Sequence, residues 1–303
     1  MKQRVISGVI IFIAAVALGW TGGPALALVL AVCSLIGYYE MTRALGVHQP
    51  EQKWNGPELV GLIFAAAYWV LLYADGAAEG AVTDATSAGP VLTPAVTDYI
   101  THANDLALLM ILGVFFTEMT LYVVTFPRYH ADQIVSSIFA FIYVPVMISC
   151  IYRSRYLPTG KYVYALIFFC SWICDTGAWL FGRLFGRHKA FPVLSPKKTV
   201  EGCIGGVVCG TLLCFGAGVL ADTLHPENVV TPSFVIIGIC GCLISMCGDL
   251  AASAIKRNHG IKDYGKVIPG HGGIMDRFDS IIFTAPVIYY LGVLLLTQLQ
   301  LRL

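Results

Sequence analysis

Leu106-Ala-Leu-Leu-Met-Ile-Leu-Gly-Val-Phe-Phe-Thr-Glu-Met-Thr-Leu-Tyr-Val-Val-Thr-Phe126 holds a single charged side chain, Glu118. Coiled into a helix at about 1.5 Å per residue, it spans roughly 30 Å, the hydrocarbon thickness of a bilayer. In lipid only a helix or a closed barrel satisfies every backbone N–H and C=O, and no period-2 alternation is present here, so the stretch reads as a transmembrane helix. Working outward, similar runs lie at 5–20, 23–39, 59–74, 134–152, 162–185, 203–221, 234–254 and 281–299. With 106–126 they make about nine spans. The fold class expected is all-α, a polytopic integral membrane helix bundle.

Composition agrees. Of 303 residues 57% are hydrophobic and 12% charged, against roughly 25% charged in soluble domains. Nineteen Lys and Arg nearly balance eighteen Asp and Glu, so no basic surplus points to nucleic acid. The ten cysteines lie in apolar stretches without CxxC pairs or zinc-ligand spacing, and read as small packing residues. The first run follows Lys2 and Arg4 and reads as a retained helix rather than a cleaved leader. With the N-terminus inside, alternation places all the Lys and Arg but Arg153, Arg155, Lys161 and Arg302 on the cytoplasmic side, as positive-inside bias requires. Residues 75–104 contain no Lys or Arg, and are expected to form a weakly structured excursion on the other side.

Two regions follow from this. Residues 1–160 are five largely featureless spans. Residues 161–303 hold the intramembrane acids, the glycine clusters and two basic loops, 183–201 and 256–280, both expected on the cytoplasmic side. Gly202, Gly206 and Gly210 recur four apart, the spacing that lets helices approach closely in lipid; Gly202 alternatively lets a phosphate near the backbone.

Carboxylates in apolar helices need a partner or a wet cavity. Glu118 has no polar company in its run and is expected in an ion pair or at the interface. Asp175 shares a helical face with Gly182 and Arg183, and Asp249, Ser253 and Lys256 form a polar stripe at i, i+4 and i+7. Each acid leads toward a basic loop. In the first loop Ser195-Pro196 has the form of an N-cap with proline at the first helical position, so a helix is expected to start there. Its N-terminus, with Lys197 and Lys198, suits an anion or serves as a positive-inside anchor. In the second, Pro269-Gly-His-Gly-Gly273 lets main-chain N–H groups approach a ligand, while Asp276 and Asp279 share one helical face. His271 either binds phosphate, relays a proton or stabilises the loop. Asp276 and Asp279 converging with Asp249 would supply hard oxygen ligands for Mg²⁺ shared with substrate phosphates. The other reading is an ordinary salt-bridged loop. No Walker, Rossmann or nucleophile-elbow motif occurs.

The stretch Ser253 to Asp279 resembles the C-terminal signature of the phosphatidate cytidylyltransferase family, also called CDP-diacylglycerol synthases. It matches at Ser253, Lys256, Arg257, Lys262, Asp263, Gly265, Pro269, His271, Gly272, Gly273, Asp276, Arg277 and Asp279. Asp175, Gly182-Arg183, Ser195-Pro-Lys-Lys-Thr199 and Gly248-Asp249 are also similar to family features, so the resemblance covers 161–303. It implies transfer of a cytidylyl group from CTP to phosphatidate, giving CDP-diacylglycerol and pyrophosphate for phospholipid synthesis. The cofactor implied is Mg²⁺, alone or with a second cation. By similarity Asp249, Asp276 and Asp279 hold the metal, with Asp175 and Asp263 as further ligands. Asp249, Asp276, Lys256 and Arg277 would be catalytic. Ser195, Lys197, Lys198, Ser253, Arg257, Lys262, His271, Gly272 and Gly273 would contact substrate phosphates. The resemblance further implies a homodimer in the bacterial inner membrane with its site open to the cytoplasm. The rival readings are a transporter of an anionic solute and a lipid kinase.

Overall fold

The structure is a computed structural model describing residues 2–48, 55–78, 94–226, 229–268 and 272–297. Its helices are α1 (Lys2–Thr21), α2 (Gly23–Ala44), α3 (Gly56–Ala78), α4 (Pro94–Thr125), α5 (Ala131–Ser154), α6 (Gly160–Phe185), α7 (Val200–Leu224), α8 (Thr231–Asn258) and α9 (Met275–Gly292). All but α1 are long and apolar enough to cross a membrane, eight in total, and α1 adds a shorter apolar stretch, Gly8–Thr21. The chain is an integral membrane protein built almost entirely of helix. Among the described residues the only sheet is a hairpin of β1 (Lys189–Phe191) and β2 (Ser195–Thr199), with Lys189 opposite Thr199 and Phe191 opposite Ser195.

The helix ends have local causes. Pro24 stands at the start of α2, where its missing N–H costs nothing, and Gly22 before it takes a positive φ of 61°. A π-helical turn around Pro145 interrupts α5, and another at Phe169–Ile173 widens α6 immediately before Asp175; such turns relieve a missing hydrogen bond or re-aim a side chain. The helix expected at Ser195 does not start there. Ser195–Thr199 pairs as β2, and α7 begins at Val200 with Thr199 as its N-cap, its hydroxyl accepting from Gly202 N at 3.2 Å. The run of residues 75–104 is likewise more ordered than expected at its edges. Helix α3 continues to Ala78 and α4 starts at Pro94, while the intervening stretch lies outside the described residues.

The chain divides into two compact units. The first gathers α1 to α4, α5 as far as Ser149, and Ile255–Phe278; the second gathers α5 from Cys150, α6, the hairpin, α7, α8 as far as Ala254, and α9 from Asp279. In the second unit the glycines of α7 set helix packing. A side chain at Gly202 would meet the Ala178 carbonyl at 2.6 Å, and one at Gly206 the Cys174 carbonyl at 2.6 Å, so α7 lies directly on the α6 backbone. All ten cysteines are free, and Cys150, Cys170, Cys174, Cys214 and Cys242 are buried.

Glu118 corrects an expectation within the first unit. It is fully buried rather than interfacial or ion-paired: Ser137 Oγ donates to its Oε1 at 2.6 Å and lies 2.7 Å from the Tyr38 hydroxyl. These neighbours come from α2 and α5, so the run that carries Glu118 gives no sign of them.

Candidate active site

In the second unit the end of β2 brings Lys198 against α8. Its Nζ stands 2.6 Å from Asp249 Oδ2. Burial alone would depress the Lys198 ammonium, but the carboxylates of Asp249 and Asp175 outweigh it and hold its pKa above the ordinary lysine value. Asp175, Lys198 and Asp249 therefore act on one another electrostatically, although they lie on α6, β2 and α8. Gly248, just before Asp249, has its α-carbon against α9: a side chain there would meet the Asp279 carbonyl at 2.8 Å and Phe283 Cβ at 2.9 Å. The absence of a side chain at Gly248 thus lets the Asp279 backbone lie next to the turn carrying Asp249. Asp279 itself is half-buried, and its Oδ1 accepts from Ser280 N at 2.8 Å.

The base of the hairpin is tied by Glu201 in the first turn of α7. Its carboxylate accepts from the backbone N–H of Arg187 at 3.1 Å and of His188 at 3.2 Å, and lies 2.6 Å from His188 Nδ1. Ser195 is half-buried at the start of β2 and Lys197 is exposed. The hairpin places these two on its strand without a shared side-chain contact to the acids.

In the first unit the segment after α8 folds back around Asp276. Lys256 Nζ donates to Asp276 Oδ1 at 3.0 Å and sits 5.4 Å from the Tyr264 ring centroid. Asp276 Oδ2 accepts from Tyr264 N at 2.9 Å and from Gly273 N at 3.0 Å. The Gly273 N–H, expected from sequence to face a ligand, is thus taken by Asp276. Gly272 adopts φ 88° and its carbonyl accepts from Ile268 N at 2.8 Å; that conformation is open to glycine and strained for other residues. Arg257, Lys262, Asp263 and Arg277 are exposed, and Ser253 is half-buried along α8. His271 lies outside the described residues.

One residue escaped sequence reading. Glu40, near the end of α2 and 4% exposed, accepts from Ile274 N at 3.2 Å and from Met275 N at 2.9 Å, closing the start of α9. Its ligands are backbone N–H groups, which leave no trace in sequence; the available signal was only an acid ending an apolar run, Tyr38-Tyr-Glu40.

Asp249 and Asp276 each hold an ammonium group at ion-pair distance, so both carboxylates already bind a cation. Oxygen donors of this kind fit a hard divalent ion. Among the described residues no three His, Cys, Asp or Glu side chains form a ready-made cation cage. A divalent ion at these acids would therefore draw further ligands from water or substrate oxygens, as Mg²⁺ commonly does.

The model of the cytidylyltransferase family matches residues 2–295. The chain belongs to the cytidylyltransferase family. It is similar to the phosphatidate cytidylyltransferase of Staphylococcus saprophyticus, at 35% identity over 185 residues, 61% of this chain and 69% of the relative. To that of Staphylococcus epidermidis it is 39% identical over 146 residues, covering 48% of this chain and 54% of the relative, and to that of Staphylococcus aureus 38% over 146 residues with the same coverage. Those two matches span about half the length of the relatives. The second unit contributes the ion pair Lys198–Asp249 and the first unit the ion pair Lys256–Asp276, each a cation held against an acid.

Proposed function

We propose that the chain is a phosphatidate cytidylyltransferase, joining the cytidylyl group of CTP to phosphatidate to give CDP-diacylglycerol and pyrophosphate. One observation carries the reading to particular residues. Within a family match running nearly the whole chain, Asp249 and Asp276, both in or beside spans, are each held by a lysine. The family match lends nothing to an anionic-solute transporter or a lipid kinase.

In the reaction a phosphatidate oxygen attacks the α-phosphorus of CTP, and the bond from that phosphorus to the bridging oxygen breaks, its electron pair leaving with pyrophosphate. A phosphate nucleophile is already ionised at neutral pH, so the protein's task is positioning anions and spreading charge. Asp249, Asp276 and Asp279 would hold Mg²⁺, with Asp175 and Asp263 as the second choice of ligands. When bound, Mg²⁺ offsets charge on the triphosphate. Lys198 and Lys256, here paired with Asp249 and Asp276, would offer their ammonium groups to phosphate oxygens of the nucleotide. Lys256 and Arg277 would meet the charge that develops on the reacting phosphates. Ser195, Lys197, Ser253, Arg257, Lys262, His271 and Gly272 would hold the remaining phosphates of nucleotide and lipid, while the Gly273 N–H stays with Asp276. The enzyme would act as a homodimer, with its site on the cytoplasmic side of the bacterial inner membrane.

Incubation of purified protein with phosphatidate, Mg²⁺ and CTP labelled separately at the α and γ positions tests this. The α label should enter the lipid. Label from the γ position in the lipid would make the protein a kinase, and no label in the lipid would end the transferase reading.

A further inference from the structure

Glu40 belongs to α2, within residues 1–160, where sequence reading places no site residue. It nevertheless touches the segment that carries Asp276. Its two oxygens accept from consecutive N–H groups, Ile274 and Met275, while the preceding N–H, of Gly273, goes to Asp276. Two carboxylates thus take up three successive donors at the start of α9, donors that no helical carbonyl can satisfy. The fit around Glu40 is close. A side chain at either Gly265 or Gly273 would collide with its carboxylate, which gives these two positions a physical reason to be glycine. The next carboxylate along, Asp276, is also the partner of Lys256 at 3.0 Å.

We infer that Glu40 is a positioning residue: by pinning the N–H groups of Ile274 and Met275 it fixes the first turn of α9 and so the direction in which Asp276 and Lys256 point. This rests on the transferase reading for its catalytic consequence, but not for its structural one. Removing the acid frees two donors and the turn between Gly273 and Asp276, while leaving the side chains of Asp276 and Lys256 unchanged. A glutamine is the informative replacement, because its single oxygen can serve one N–H while its amide nitrogen faces the other, donor against donor.

Glu40→Gln is compared with wild type by steady-state kinetics, by amide hydrogen exchange without substrates, and by thermal melting. Expected are a kcat lower by about tenfold or more, as loss of a buried hydrogen bond at a catalytic turn would give, a KM for phosphatidate within about twofold, and faster exchange confined to peptides covering 272–278. If Glu40→Gln does not fold, Gly273→Ala reaches the same contact from the loop side and should show the same local signature. Combining it with Glu40→Ala should then cost less than the two single changes added together, because the intruding methyl no longer meets a carboxylate. Unchanged exchange at Ile274 and Met275, a kcat within twofold of wild type, or faster exchange spread equally over α6 and α7 would each overturn the inference. Failure of wild type to transfer the α label would remove the transferase reading, while the exchange result would still decide whether Glu40 holds α9.

Discussion

Asp249 and Asp276 stand out in sequence because a charge in or beside an apolar helix is costly unless something neutralises it. The structure shows what does: a lysine on each. Asp249→Asn and Asp276→Asn keep shape and volume, remove the charge and replace one acceptor oxygen with an amide donor. Each is expected to lower transfer by at least about a hundredfold with helix content and membrane insertion retained, as measured by labelled-CTP turnover and circular dichroism on the same preparation. The Lys198 pair also has a pH signature. Since folding raises its pKa, the protonated form is favoured in the native state, so its contribution is fully present below the unfolded value of about 10.4 and fades as pH climbs through the native value. Melting temperature should therefore fall more steeply above about pH 10 in wild type than in Lys198→Met; identical alkaline profiles would show that the pair contributes nothing to stability. Glu40 and the surroundings of Glu118 were illegible for one shared reason. Their partners lie on other helices, and for Glu40 they are main-chain groups that any residue would present.

Among the elements, the spans were readable because bilayer thickness imposes a length and lipid imposes an apolar composition. The start of α7 was not. Ser195-Pro196 carries a genuine local helix-start signal, but pairing of Lys189 with Thr199 and of Phe191 with Ser195 commits the stretch to a strand, and the cap passes to Thr199. Thr199→Ala should cost about 1 kcal/mol of stability, read as a lower melting temperature. The glycine face of α7 offers a sharper contrast. Gly206→Leu would drive a side chain into the Cys174 carbonyl, whereas a side chain at Gly216 meets nothing within 4 Å. The first change should destabilise by about 1–3 kcal/mol or more, and Gly216→Leu by no more than about 0.5 kcal/mol. Equal melting temperatures for the two variants would contradict the packing assigned to that face.

For the whole molecule, composition and spacing point to about nine spans; among the described residues eight helices are long and apolar enough to cross a bilayer, and the first expected span is the shorter apolar stretch Gly8–Thr21. The grouping of the helices does not. Residues 255–278 cluster with the N-terminal helices rather than with their neighbours in sequence, and contacts such as Glu40 with Ile274 and Met275 have no periodic signature. Charge bias predicts that both basic loops face the cytoplasm. Lys189→Cys and Lys262→Cys, introduced into a background lacking reactive native thiols, should be modified by an impermeant maleimide only in inverted membrane vesicles. Modification of one from each face would overturn the orientation. The acids on the helices that enter these loops are proposed to grip a divalent cation together with a triphosphate, and Mn²⁺ binding to the purified protein, followed by electron paramagnetic resonance with and without CTP, measures that directly. Wild type should immobilise Mn²⁺ in a CTP-dependent manner, and Asp249→Asn, Asp276→Asn and Asp279→Asn should each lose it; CTP-dependent binding undiminished in all three variants would contradict the site.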